Sequence, residues 1–169
     1  MCRVIFLDVD GVLNNLDWAK KVAEEEGVRV FHENILEKRA LLLLKRLVES
    51  TGAKIVVSSA WRKIPGAYKD LLSQLDQYGM QVFDKTPHVG GDRGNDITAW
   101  FKRHPGKYSY AILDDDSDMT VHMDHLVQTS FYHRGITGEH VDSCIELLKR
   151  DPIDPLECQT EPDPHVNSA

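Results

Sequence analysis

A chain of 169 residues, 41% hydrophobic and 28% charged, is the length of one domain with an ordinary globular make-up, which excludes global disorder and any need for disulfide staples. Its formal charge of −7 excludes an overall basic footprint for duplex nucleic acid. The longest apolar run, 40–44, cannot span a bilayer, the N-terminal stretch turns acidic at Asp8 before a secretory h-region can form, and the three cysteines make no CxxC pair, so a reduced, cytoplasmic protein is expected.

The first predicted strand is Val4–Leu7, which stops at Asp8-Val9-Asp10-Gly11. Residues 14–32, with Trp18, Val22 and three consecutive glutamates, suit either a short helix or a flap. Over about 33–51, Leu36, Ala40, Leu43, Leu44, Leu47 and Val48 line one helical face, and Gly52 stands where a C-terminal cap belongs. The second strand, Lys54–Val57, runs into Ser58-Ser59. A helix over about 66–78 carries Leu71, Leu72 and Leu75, and a third strand covers Met80–Phe83. Ile97, Trp100 and Phe101 mark a helix over about 95–104 that ends at Pro105-Gly106. The fourth strand, Tyr110–Leu113, delivers Asp114-Asp115-Asp116, with Asp118 close behind. His122 and His125 read as a solvated helix face rather than zinc ligands, because no third ligand stands at a recognised spacing. The fifth strand is Leu126–Thr129, and a last helix over about 138–149 turns Val141, Ile145 and Leu148 inward behind Thr137 as its cap.

Strands that alternate with helices pair in parallel, because right-handed crossovers need a helix between them. The expected fold is a three-layer, Rossmann-like α/β sandwich with a five-stranded parallel sheet, spanning residues 1–150. Residues 151–169 hold five acids, four prolines and no Lys or Arg, and read as a mobile or loosely docked acidic tail, with Ile153 and Leu156 the candidates for docking. With them set aside, the body carries an acid excess of only two.

In such folds the ligand site lies beyond the carboxyl ends of the strands. That edge receives Asp8, Asp10, Ser58, Ser59 and Asp114–Asp116. Two like charges about 4 Å apart repel by about 4 kcal/mol at an effective dielectric near 20, so such a cluster needs a cation. All-oxygen ligands point to a hard ion, Mg²⁺ before Ca²⁺. Residues i and i+2 of an extended segment point the same way, so Asp8 and Asp10 reach one substrate. An aspartate needs no base to become a nucleophile, and a second one beside it can hand a proton to the leaving oxygen and then take one from water. Gly11 lets the backbone turn there.

The segments Phe6-Leu-Asp-Val-Asp-Gly-Val-Leu-Asn14, Val56-Val-Ser-Ser59 and Ile112-Leu-Asp-Asp-Asp116 resemble motifs I, II and IV of the haloacid dehalogenase (HAD) superfamily, over about residues 1–150. Ser58-Ser-Ala-Trp-Arg62, Thr86-Pro87, Arg93-Gly-Asn-Asp-Ile-Thr-Ala-Trp100 and Gly135-Ile-Thr137 further resemble the HAD phosphatase domains of RNA-repair and polynucleotide kinase–phosphatase proteins. The resemblance implies a Mg²⁺-dependent phosphomonoester hydrolase. Asp8 would be the nucleophile that forms an aspartyl-phosphate, and Asp10 the general acid/base, its backbone carbonyl facing the metal. Ser58, in preference to Ser59, would hold the phosphoryl group. Asp114 and Asp115 would complete the Mg²⁺ site, with an Asp114/Asp118 pairing as the alternative and no role fixed for Asp116. For the motif III cation Arg93 is the choice and Lys85 the runner-up.

The gaps where the superfamily inserts specificity caps, about 15–32 and 84–92, are too short for a folded cap domain. The resemblance associates an open edge with macromolecular substrates or with cover from a partner subunit. Trp61 and Arg62 read first as packing and a surface ion pair. A terminal (3′) phosphate on a nucleic-acid strand is the expected substrate, with Arg62, Lys63 and Arg93 as candidates for phosphates and Trp61 for a base. The alternatives are a small-metabolite or nucleotide phosphatase covered by a partner subunit, and a catalytically silent HAD-like binding module. A response-regulator receiver places its phosphoacceptor after the third strand, which this pattern does not.

Overall fold

The computed structural model describes residues 2–27 and 36–157, the side chain of residue 26 excepted. Five strands, β1 (Cys2–Leu7), β2 (Lys54–Val57), β3 (Val82–Lys85), β4 (Tyr108–Asp114) and β5 (Leu126–Gln128), form one sheet in the order β3-β2-β1-β4-β5, every pair parallel. The helices are α1 (Leu16–Glu26), α2 (Lys38–Thr51), α3 (Pro65–Gln77), α4 (Arg93–Arg103) and α5 (Gly138–Lys149). The expected three-layer α/β sandwich is the observed fold.

Strand alternation divides the core. Ile5, Leu7, Ile55, Val57, Ala111 and Leu113 face the apolar stripes of α2, α3 and α5. Val4, Phe6, Val56, Tyr110 and Ile112 face α4, where Phe6 meets Trp100 and Phe101 edge-on at 5.4 and 5.3 Å. The chain builds outward from β1 through β2 to β3, then returns across the sheet to β4. Strand order therefore reverses between β1 and β4, and the crevice at their carboxyl ends is where such a sheet takes ligands.

Boundaries differ from the sequence reading for local reasons. α2 begins at Lys38, after Glu37 in extended backbone; positions 33–35 of the expected helix lie outside the described residues. Between β1 and α2 the chain forms a helix, α1, started by Asn15, whose side chain accepts the Trp18 N–H at 2.9 Å; positions 28–32 of that stretch are likewise outside the description. Gly79 turns with φ 72° and Met80 plugs the core beneath α3, so β3 starts two residues later than expected. α4 starts at Arg93 rather than 95, which brings Arg93 into its first turn.

The segment from residue 151 is docked at its start, through the two apolar residues named for it. Ile153 exchanges two backbone hydrogen bonds with Tyr108 at 2.8 and 3.0 Å, and Ile153 and Leu156 pack on the α4 side of the core. Residues 158–169 lie outside the description. Among the described residues no helix is long and apolar enough to cross a membrane.

The histidines overturn their expected exposure. His122 is buried, with the Tyr110 hydroxyl 2.9 Å from Nδ1 and the Thr98 hydroxyl 2.8 Å from Nε2, while His125 stacks on Tyr110 at 3.8 Å. Burial, then the neighbouring His125, pushes the His122 pKa down to about 4. Below its ordinary pKa the unfolded chain takes up a proton that the folded chain refuses, so this contribution is whole above about pH 6.5 and is lost as pH falls toward 4. The loss amounts to about 3 kcal/mol. Urea unfolding at pH 7 and pH 4 should show it in the native protein and not in His122→Gln; equal pH dependence in the two would refute the assignment.

Candidate active site

Parallel register carries the strand-end side chains into one lateral row. The Asp8 N–H donates to the Leu113 carbonyl, Ser58 N–H to Leu7 and Thr86 N–H to Val57, each at 2.9 Å, so pairing continues one residue past the strands. By alternation, Asp8, Ser58 and Asp114 share the face of Phe6, Val56 and Ile112, over which the first turn of α4 stands.

That first turn delivers Arg93. Its Nη1 lies 2.9 Å from Asp8 Oδ1 and 3.6 Å from Asp114 Oδ2, and it donates to the Ser58 carbonyl. Asp92 makes no side-chain cap; the loop after β4 supplies one instead. Asp118 accepts the Arg93 N–H on its carboxylate at 2.9 Å and the Gly94 N–H on its carbonyl at 3.0 Å. The fit leaves no room for a side chain at 94, where a Cβ would lie 2.2 Å from the Met119 carbonyl oxygen. Lys85 is elsewhere, exposed on β3 with its ammonium 4.7 Å from the Tyr68 ring centre.

Asp8, Asp114 and Asp115 each offer a carboxylate oxygen within 4.8 Å of the others. Asp115 comes in over Gly11, where a Cβ would sit 2.4 Å from the Asp115 carboxyl carbon. Asp8 and Asp114 are almost wholly buried. Burial raises both carboxyl pKa values while Arg93 pulls both down; the charge of Asp8 raises Asp114 further, and that of Asp10 raises Asp8. Burial first, then Asp116, also raises Asp115. Burial works against the charge on Arg93, but Asp8 and Asp114 outweigh it and hold its pKa above the ordinary value. One guanidinium thus faces three carboxylates, and the buried Asp114 Oδ2 accepts no hydrogen bond. A hard divalent cation fits that donor set: carboxylate oxygens only, one of them without a hydrogen bond, with charge left to neutralise. Asp116 and Asp118 stay out of the cluster; Asp116 gives its N–H to Asp114 Oδ1 at 3.1 Å.

The two serines divide differently from their order after the strand. Ser58 Oγ is buried with no hydrogen-bond partner. Ser59 Oγ accepts the Trp61 N–H at 3.3 Å, and its hydroxyl helps draw the Asp8 pKa down. Asp10 stands at the exposed rim with its carboxylate outside the acidic trio, taking the Asn14 amide on Oδ1 at 2.7 Å and the Trp61 indole N–H on Oδ2 at 2.9 Å.

Trp61 packs, as its first reading has it: it is 8% exposed and cannot present a face to a base. Arg62 departs from both of its readings. Arg62 is neither a surface ion pair nor open to phosphate. It is buried, paired with Asp96, and donates to the carbonyls of Ser58, Ser59, Thr86 and Pro87. It ties two strand-end loops to α4. No sequence pattern separates such an arginine from a surface one, because its partners are backbone carbonyls. Lys63 is exposed. The loop 86–92 between β3 and α4 carries no folded cap, and the described residues between β1 and α2 add only α1.

The model of one protein family, the HAD domain in Swiss Army Knife RNA repair proteins, matches residues 4–141, most of the chain. Neither a curated protein nor a solved structure matches it.

Proposed function

The chain belongs to the family of HAD domains found in Swiss Army Knife RNA repair proteins, and we propose that it is a Mg²⁺-dependent phosphomonoester hydrolase working through Asp8. Family membership points to a phosphatase-type hydrolase. The observation that carries the finer reading is the convergence of Asp8, Arg93, Asp114 and Asp115 at the β1/β4 crevice.

Asp8 attacks phosphorus, the bond from phosphorus to the leaving oxygen breaks, and that oxygen takes a proton from Asp10. Water then attacks the aspartyl-phosphate, Asp10 receives the water's proton, the bond to Asp8 breaks, and inorganic phosphate leaves. Arg93 sets its guanidinium against the charge gathering on the phosphoryl oxygens. The Ser58 hydroxyl, which has no protein partner, donates to one of those oxygens. Asp8, Asp114, Asp115 and the Asp10 carbonyl would hold Mg²⁺, which when bound neutralises phosphoryl charge and lets Asp8 remain ionised at neutral pH.

A nucleic-acid terminal phosphate is the substrate class. The open edge supports it, since binding energy must come from groups flanking the phosphate, and so does the RNA-repair setting of the family. The test compares kcat/KM for a 3′-phosphorylated oligonucleotide and its mononucleotide, with Mg²⁺ and with excess EDTA. A strand preference of about tenfold or more, lost with the metal, is expected from one or two extra contacts of about 1–3 kcal/mol each. Equal values would instead favour a small-metabolite phosphatase, and full activity in EDTA would overturn the metal site.

A further inference from the structure

We propose that Trp61 and Asn14 are positioning residues that hold the Asp10 carboxylate where it serves the leaving oxygen; this rests on the acid–base role given to Asp10 above. Asp10 lies at the exposed rim just past β1, where burial does not fix its side chain. Two donors from different parts of the chain select one. Asn14 reaches Oδ1 from four residues on, and its own carbonyl oxygen is fixed by the Gly11 N–H at 3.1 Å. Trp61 reaches Oδ2 from 51 residues away, so no local turn preference explains that contact.

The indole is itself held. Trp61 sits in a 3₁₀ turn, Ala60–Lys63, capped by Ser59, and Arg62 beside it is pinned to four carbonyls of the two neighbouring loops. An indole has one polar atom, a donor, which must find an acceptor when the ring is buried. Here that acceptor is a rim carboxylate at the candidate site. A carboxylate has about four acceptor positions, so two donors leave each oxygen a free lone pair for substrate or water. The carboxyl plane is thus set before substrate arrives, and orientation costs nothing at the moment of proton transfer.

The test measures kcat/KM, which reports phosphoenzyme formation, for para-nitrophenyl phosphate and for a simple alkyl phosphate. The alkyl oxygen needs a proton as it leaves; the nitrophenolate does not. Trp61→Phe keeps the ring and removes the donor. It should lower kcat/KM for the alkyl ester about tenfold, with a several-fold smaller loss on the aryl ester and KM little changed. Asn14→Asp keeps the acceptor for Gly11 but turns a donor into a second carboxylate facing Asp10, and should show the same selectivity without touching the indole. Uniform loss, or none, in both variants overturns the proposal if Asp10→Asn is itself selective for the alkyl ester. Uniform loss in Asp10→Asn defeats the acid role instead. An independent readout is the Trp61 indole N–H resonance, identified by its disappearance in Trp61→Phe. It should move in Asp10→Ala, and a resonance that stays in place refutes the contact whatever the kinetics show.

Discussion

Asp8→Asn is expected to remove phosphatase turnover almost completely, by about 10⁴-fold or more, while the protein stays folded. Nucleophile removal in a hydrolase costs on that order because the remaining groups have no covalent step to assist. The substitution is isosteric at a buried position, so packing against the sheet edge is kept. Its charge is also not what holds the fold together. Burial raises the Asp8 pKa above its unfolded value, which means that the ionised form is disfavoured in the folded state. A neutral amide therefore gives up no net electrostatic stability. Steady-state turnover and acid-quench trapping of a labelled phosphoenzyme are the measurements. Persistent turnover, or a phosphoenzyme that still forms, would place the nucleophile elsewhere.

Arg93→Ala should strike activity and stability together. The lost donor to the phosphoryl group is worth about 10²–10³ in kcat. Lys85→Ala, by contrast, should change kcat less than about twofold, because Lys85 lies over Tyr68 on the outer strand. For stability, breaking a buried ion pair costs about 3–5 kcal/mol when the abandoned charge stays charged. Here Asp8 and Asp114 can escape by taking up protons, since burial already raises both. Folded pKa values raised above the unfolded ones mean stability that is whole at low pH and lost as pH climbs through the folded values. Without metal, the variant's deficit against the native protein should therefore be small near pH 4 and grow toward pH 8. A deficit independent of pH would show that Arg93 stabilises by packing alone.

The parts of the site visible in the sequence are those that obey the geometry of a parallel sheet. Asp8, Ser58 and Asp114 each follow an apolar strand by one residue, and register does the rest. Arg93 could be singled out because it stands at the mouth of a helix with clear apolar spacing, although the start of that helix was two residues off. The features that escaped depend on contacts without periodicity. Arg62 is buried by carbonyls, which every residue carries. His122 is buried by two hydroxyls reaching it from β4 and α4, in a 3₁₀ turn too short to show a face. Ser59 reaches Asp8 because the chain leaves β2 into a turn at that residue, and position along the strand does not reveal it. Packing of Trp61 was legible, but its indole bond to Asp10, 51 residues away, was not.

The cap that the loop after β4 places on α4 sets a limit on engineering. Asp114 and Asp115 enter the acidic cluster, and three residues later Asp118 grips the first two amides of the helix that carries Arg93. Residues 115–118 therefore act as a ruler of fixed length between the carboxylates and their counter-cation. One residue inserted there would move the guanidinium and the acids out of step, even with every side chain of the site intact. The loop at 86–92 spans no such pair, although its ends carry Arg62's carbonyl contacts and the approach to Arg93. A graft meant to reshape substrate access belongs at Gly90–Gly91, past Val89, whose N–H donates to Asp96 at 2.8 Å, and a chimera should take 93–118 from a single parent.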